Sequence, residues 1–174
     1  MHRRATVRWL FDFELLLRLM IYRLYKPDDF AALYGLEEVC FQPIFRFDRA
    51  FMRQLVEAHN SATWIAEEEE KMAGFAIVEW SARSGKLRAY IQTIEVLPES
   101  RGRGTGGQLL ACVESSAQEA GAEAIWLHVD ESNASAIRLY EAHGFIGAGK
   151  RDQYYPLGRG ALIYRKPLAR KPLK

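Results

Sequence analysis

The stretch VLPESRGRGTGGQLL, Val96–Leu110, joins the end of an apolar strand to the start of a strongly patterned helix through a glycine-rich turn. Pro98 stops the strand. Gly102, Gly104 and Gly106 then let backbone N–H groups converge on one point with no Cβ in the way. The helix N-terminus behind them supplies partial positive charge, and Arg101 and Arg103 supply full charges, so the segment reads as a phosphate cradle. It is not a P-loop, because no lysine-serine or lysine-threonine pair follows the glycines. Gly102, Gly104 and Gly107 do spell a dinucleotide-type G-x-G-x-x-G, with Glu123 near the distance of the ribose-binding acid. Two features weigh against that reading. The flanking arginines suit a ligand with more than one phosphate, and the element sits mid-chain after several strands in hairpin-like order.

Outward from this segment the chain alternates. On the N-terminal side the pattern predicts a strand at Ile21–Tyr25 and a helix over Asp28–Cys40. A Pro- and Phe-bearing loop follows over Cys40–Phe47, then a second helix capped by Asp48 and running to about Ala58. Thr63–Glu67 and Gly74–Trp80 read as strands around the acidic turn Glu67–Lys71, a solvated hairpin tip, and Leu87–Val96 as a long strand. On the C-terminal side a helix from Gly104 to Ala120 carries Leu109, Leu110, Val113 and Ala117 on one face and stops at Gly121. Ile125–Val129 is a strand, Asn133–His143 a helix closed by Gly144, and Phe145–Lys150 and Ala161–Tyr164 the last strands. The class is α/β with mixed strands.

Composition agrees with one globular domain: 174 residues, 49% hydrophobic and 26% charged. No apolar run is long enough to span a bilayer. The net charge of +2 comes from the first nineteen residues, where Arg3, Arg4, Arg8 and Arg18 face Asp12 and Glu14. Residues 1–19 read as an N-terminal extension with a short amphipathic helix, 20–168 as the functional domain, and 169–174 as a basic tail. No basic groove for nucleic acid and no membrane partner is expected. Cys40 and Cys112 lack the spacing of a disulfide framework or a zinc site. They read as buried packing residues in a reducing, cytoplasmic compartment, and no metal is expected.

The run Arg101–Gly106 matches the R/Q-x-x-G-x-G/A motif, and with it the chain resembles the GNAT superfamily of acyl-CoA N-acyltransferases from about Met20 to Leu168. YIQTIEV (Tyr90–Val96), IWLHVDESNASAIRLYEAHGF (Ile125–Phe145) and QYYP (Gln153–Pro156) are similar to the protein Nα-acetyltransferase, RimI-like branch. The resemblance implies a mixed sheet of about six or seven strands, splayed at the acyl-CoA site and flanked by about four helices. It implies acetyl-CoA as cosubstrate, its pantetheine against Ile94, Glu95 and Val96 and its pyrophosphate on the amides of Arg101, Gly102, Arg103, Gly104, Thr105, Gly106 and Gly107. Asn133 falls near the pantetheine, and it also fits the cap of its own helix.

Acetyl transfer needs a neutral amine, oxyanion stabilisation and a proton for the departing thiolate. Tyr140 matches the family tyrosine near the thioester sulfur, with a core aromatic as the alternative. The RimI-type strand motif W-L-E-V has its glutamate where this chain has His128. Relatives with a histidine there pair it through water with a tyrosine matching Tyr90, and Glu95 is the competing base. His2, His59 and His143 match nothing and read as surface or capping residues. The resemblance places Phe41 and Pro43 against the acceptor's first side chain and Tyr154 and Tyr155 over its backbone. The expected acceptor is the α-amine of a protein or peptide. A small amine (polyamine, amino acid or aminoglycoside) is the alternative, and an acyl-CoA-sensing module with no catalysis a third. A monomer or a homodimer is expected.

Overall fold

Elements form where the side-chain periodicity changes from two to 3.6. The computed structural model describes residues 19–169, so the expected amphipathic helix before Leu19, His2 and all but the first residue of the basic tail lie outside the described residues. The strands are β1 (Ile21–Leu24), β2 (Ser61–Glu68), β3 (Lys71–Arg83), β4 (Lys86–Val96), β5 (Ala124–Asp130), β6 (Ile146–Tyr155) and β7 (Arg159–Pro167). The helices are α1 (Phe30–Cys40), α2 (Arg49–Glu57), α3 (Thr105–Glu119) and α4 (Ala134–Ala142). The Asp48 carboxylate accepts from the N–H groups of Ala50 and Phe51, and the Asn133 side chain from that of Ala136, so both expected caps are in place. At the acidic turn Glu69 and Glu70 take positive φ, the geometry of a two-residue hairpin. Two strands run further than the pattern indicates. β3 continues to Arg83, and β6 runs through the QYY segment to Tyr155.

The strands form one seven-stranded sheet in the order β1-β2-β3-β4-β5-β7-β6, the mixed α/β architecture expected. On one face α3 and α4 bury Leu109, Leu110, Val113 and Tyr140 against Ala76, Val78, Ile91, Ile125 and Leu127. Each fully buried leucine there contributes roughly 1.5–3 kcal/mol. On the other face α1 and α2 set Phe30, Leu33, Met52 and Leu55 on Ile65, Phe75 and Ile77, which belong to β2 and β3 alone. Directly opposite residues share a face, so Glu79, Tyr90, Trp126 and Arg165 continue this second face across β3, β4, β5 and β7. Beyond β4 it carries half-buried and exposed residues apart from the buried Ala161.

Two irregularities shape β4. Thr93 pairs with Ile77 and Ile91 with Val78, leaving Gln92 as a bulge that turns Ile94 and Val96 toward α3 and Glu95 toward α1. β4 and β5 run parallel and pair only at Arg88–Tyr90 with Ala124–Trp126. Past that point the two strands splay, β4 continuing to Val96 and β5 to Asp130.

Gly74 holds β3 close to the far end of β4: a Cβ there would lie 2.5 Å from the Glu95 carbonyl oxygen, a backbone atom. Gly74→Ala is expected to cost roughly 1–3 kcal/mol by overpacking. Gly35→Ala, in open space on α1, is expected to gain up to about 1 kcal/mol. Thermal melts of the two variants check this, and equal shifts would contradict the close approach.

Candidate active site

The splay opens a cavity of about 620 Å³. Ile94, Glu95 and Val96 of β4 form one wall and Asn133, Ser135, Ala136, Arg138 and Leu139 another. Arg101, Gly102, Gly104, Thr105, Gly106 and Gly107 line its mouth, with Cys40 and Phe41 at the end of α1. Gly102 and Gly104 have φ of 71° and 82°, left-handed values that side chains rarely adopt. Gly104 is the N-cap of α3 and provides no side-chain cap. The first N–H groups of α3 are therefore left for an anion. Of the two cradle arginines, Arg101 folds its Nε onto the Val96 carbonyl at 2.9 Å. Arg103 is turned to Glu68 at the end of β2, in a two-pronged ion pair, and does not line the cavity.

At the vertex of the splay, the Tyr90 hydroxyl and His128 Nδ1 are 2.6 Å apart. Burial, then Arg151, lowers the imidazole pKa, so the ring is neutral at pH 7. Burial, then Tyr154, raises the Tyr90 phenol well above its usual range. Tyr154 stacks flat on His128, with ring centroids 4.4 Å apart and planes within 6°. His128 Nε2 is buried without a protein partner. Tyr155 meets Tyr154 edge-on, its phenol pushed up to about 12, chiefly by burial. Tyr140 is buried on α4 against Phe145, and burial, then Tyr155, raises its phenol, so it stays protonated across the neutral range.

Glu95 lies at the other end of the opening, five residues along β4 from Tyr90, roughly 16 Å at ~3.3 Å per residue. Its carboxyl and that of Glu37 on α1 are buried side by side. Burial, then Glu37, raises the Glu95 pKa, opposed by a 2.9 Å hydrogen bond from Thr93 Oγ1. Two buried carboxyls in contact cannot both ionise, so one carries a proton at neutral pH. Glu37 also accepts the Phe47 N–H at 2.8 Å, tying the loop after α1 to β4.

That loop carries Phe41, exposed at the cavity mouth, and Pro43, exposed in a tight turn outside it. Phe45 meets the Arg159 guanidinium at 4.9 Å, and Arg159 is ion-paired with Asp130 at 2.7 Å, bridging the loop to β7 above the opening. The structure thus brings the cradle, Asn133 and Glu95 into one cavity and Tyr90, His128 and Tyr154 into one cluster. Sequence reasoning does not identify Glu37 as the partner of Glu95 or the α4 residues Ser135 and Arg138 as cavity lining, and no local signal in the sequence marks them. Cys40 packs against the core under α1 as expected but is half-buried, not buried, and also lines the cavity wall with Sγ 3.9 Å from Arg101. Cys112 is half-buried too. His143 caps α4, with Nδ1 2.7 Å from the Leu139 carbonyl, and His59 is exposed.

An open helix N-terminus thus stands beside two parallel strands that splay apart. The sequence profile of the acetyltransferase (GNAT) family matches residues 20–145, and the chain belongs to that family of N-acetyltransferases. It is 38% identical over 100 residues to streptothricin acetyltransferase of Streptomyces lavendulae, covering 57% of this chain and 52% of that one. It is 36% identical over 104 residues to the ribosomal protein bS18-alanine N-acetyltransferase of Salmonella typhimurium, covering 58% and 68%. The chain thus spans about half the length of the first of these relatives. Among solved structures, the Escherichia coli ribosomal-protein-S18-alanine N-acetyltransferase superposes with TM-score 0.76 at 27% identity, over 90% of this chain and 99% of that one. Arabidopsis thaliana Naa50, in complex with a CoA-peptide bisubstrate analogue, gives 0.73 at 26% over 84% and 97%. No described helix is long and apolar enough to cross a membrane.

The carboxyl pair has a signature in stability. A raised folded-state pKa contributes stability that is full below the unfolded value of about 4.3 and lost as pH rises through the folded value. Glu95→Gln, whose amide donates to Glu37 at any pH, is expected to melt higher relative to wild type at pH 8 than at pH 5. A difference independent of pH would contradict the shared proton.

Proposed function

We propose that the chain transfers the acetyl group of acetyl-CoA to the N-terminal α-amine of a protein or peptide by direct attack within a ternary complex. The observation that carries this reading is the Tyr90–His128 pair, 2.6 Å apart at the vertex of the splay, on the part of the second face beyond α1 and α2. The pyrophosphate rests on the open amides from Gly102 to Gly107, with Arg101 beside them, and the pantetheine runs along Ile94–Val96 past Asn133. An arm extending from the loop along β4 brings its thioester toward Tyr90 and leaves Glu95 near the pyrophosphate end, which favours His128 over Glu95 as base. With Nδ1–H donated to the Tyr90 oxygen, Nε2 keeps a lone pair for the amine's proton, taken directly or through water. Tyr154 covers that nitrogen until an acceptor's main chain displaces the ring, and Tyr155 and Phe41 then flank the entering peptide. Tyr140 donates its phenolic proton to the departing thiolate.

The acceptor class follows from proton affinity. A neutral histidine suits an α-amine of pKa roughly 7.7–8.0 better than a lysine-type amine near 10.4. A small amine is the second reading, favoured by the likeness to streptothricin acetyltransferase. Two unpaired cysteines fit work in the cytoplasm.

The test sets a free-N-terminus peptide against its Nα-blocked, lysine-containing twin and spermidine, with acetyl-CoA. The free peptide is expected to react fastest, and faster acetylation of either competitor overturns the assignment. Because His128 already titrates below its usual 6.5, kcat/KM is expected to rise with pH until the α-amine deprotonates near 8. His128→Asn should lower kcat at least ~100-fold with little change in the KM for acetyl-CoA. Turnover unchanged in this variant contradicts His128 as base, and a plateau already reached near pH 6 contradicts an α-amine acceptor.

A further inference from the structure

We propose that the uncovered sheet face below the Tyr90–His128 pair docks an acidic segment, so that this enzyme prefers acceptors carrying Asp or Glu immediately after the reactive α-amine. This rests on the Nα reading above and narrows it to a substrate class. Trp126 pairs with Tyr90 on β4 and with Arg165 on β7, so it lies on the same face as the catalytic pair, two residues from His128 along β5. The guanidiniums of Arg88 and Arg165 flank its ring at 5.9 and 5.8 Å. Arg151 stands on the other side of His128, opposite Ala161 on the same face, and its charge helps to lower the imidazole pKa.

None of these three arginines has a carboxylate within salt-bridge distance among the described residues. Of the other charges on this face, Asp130 is neutralised and Glu79 keeps its single negative charge on β3, beyond Tyr90. Glu79 accepts from the Asn60 and Gln92 amides, and Asp130 is paired with Arg159. Three arginines against the one Glu79 carboxylate leave this face with net positive charge on both sides of the base. It opposes a cationic polyamine or lysine-rich acceptor and complements an acidic one. The reach is right for a peptide: the Trp126 row lies about 7 Å from His128, the rise of two extended residues. With the amine at His128, the carboxylates of the next few residues come within range of Arg88 and Arg165. Such exposed pairs act through encounter and KM, and salt weakens them.

The experiment uses the full chain, acetyl-CoA, spermidine as a small-amine competitor, and three free-N-terminus peptides that share their first residue and carry triple Glu, triple Ser or triple Lys after it. The Glu peptide is expected to show a KM roughly tenfold below the Ser peptide at low salt, with similar kcat, and the gap should shrink at high salt. Arg88→Gln/Arg165→Gln should bring that ratio toward one, whereas Arg88→Lys/Arg165→Lys, which keeps the charge, should retain most of it. Arg151→Gln, on the exposed strand β6, should lower the ratio part-way and gives the same information if the double variant fails to fold. Equal or better use of the Ser and Lys peptides overturns this proposal and leaves the Nα reading standing. Acetylation of spermidine with none of the three peptides overturns both.

Discussion

β4 and β5 are held as parallel neighbours by three residue pairs and then forced apart, and the site depends on that separation. Backbone N–H and C=O groups leaving a sheet must find other partners. Here the facing edges of Ile91–Val96 and Leu127–Asp130 are offered to whatever enters between them, as an edge strand is offered to an added strand. α3 and α4 maintain the opening from one face through the cluster around Leu109, Leu110, Leu127 and Tyr140. The Gln92 bulge re-aims the last turns of β4, so that Ile94 and Val96 still pack toward α3 while Glu95 reaches α1. The glycine loop then follows directly from the end of β4. The N-terminus of α3 and the gap between the strands thus open into one continuous cavity.

Environment assigns opposite tasks to the titratable groups along that path. His128 is pushed toward neutrality by burial and Arg151, which leaves it able to accept a proton. The phenols of Tyr90 and Tyr140 are pushed the other way and hold theirs. Glu95, buried beside Glu37, is raised into a shared-proton pair that joins β4 to α1 and to the Phe47 amide. That pair ties the loop carrying Phe41 and Phe45 to the sheet. Positive charge falls into two groups. Arg103, Arg159 and Lys150 are neutralised by carboxylates, whereas Arg88, Arg151 and Arg165, around Trp126 and His128, have no ion-pair partner among the described residues.

What was legible in the sequence was local. The strand, glycine loop and helix of Val96–Leu110 announce themselves by residue type, and Asp48 and Asn133 cap the helices their positions suggested. The tyrosine and histidine of the vertex were legible only through motif resemblance, since nothing in the local pattern of YIQTIEV or WLHV says that two side chains will meet across a parallel pair. Long-range pairing was not legible. Arg103 looked like a phosphate ligand because Glu68, its partner, belongs to an acidic run that reads as a solvated tip. Glu37 and Glu95 meet only after α1 packs on the sheet, and Cys40 reaches the cavity wall for the same reason. The end of β6 escaped the pattern because Gln153 takes a positive φ of 52° and the register with β7 shifts between Arg151 and Tyr155. That irregularity sets Tyr154 over His128.

The central claim is that the unpaired edge of β4 and the glycine loop together receive the coenzyme. Amide hydrogen exchange of the full chain, with and without saturating acetyl-CoA, tests it most directly. The account predicts new protection at Thr93–Val96 and Gly102–Gly107, with little change at the already paired Arg88–Tyr90. Protection confined to other segments, or spread evenly over the sheet, would contradict it.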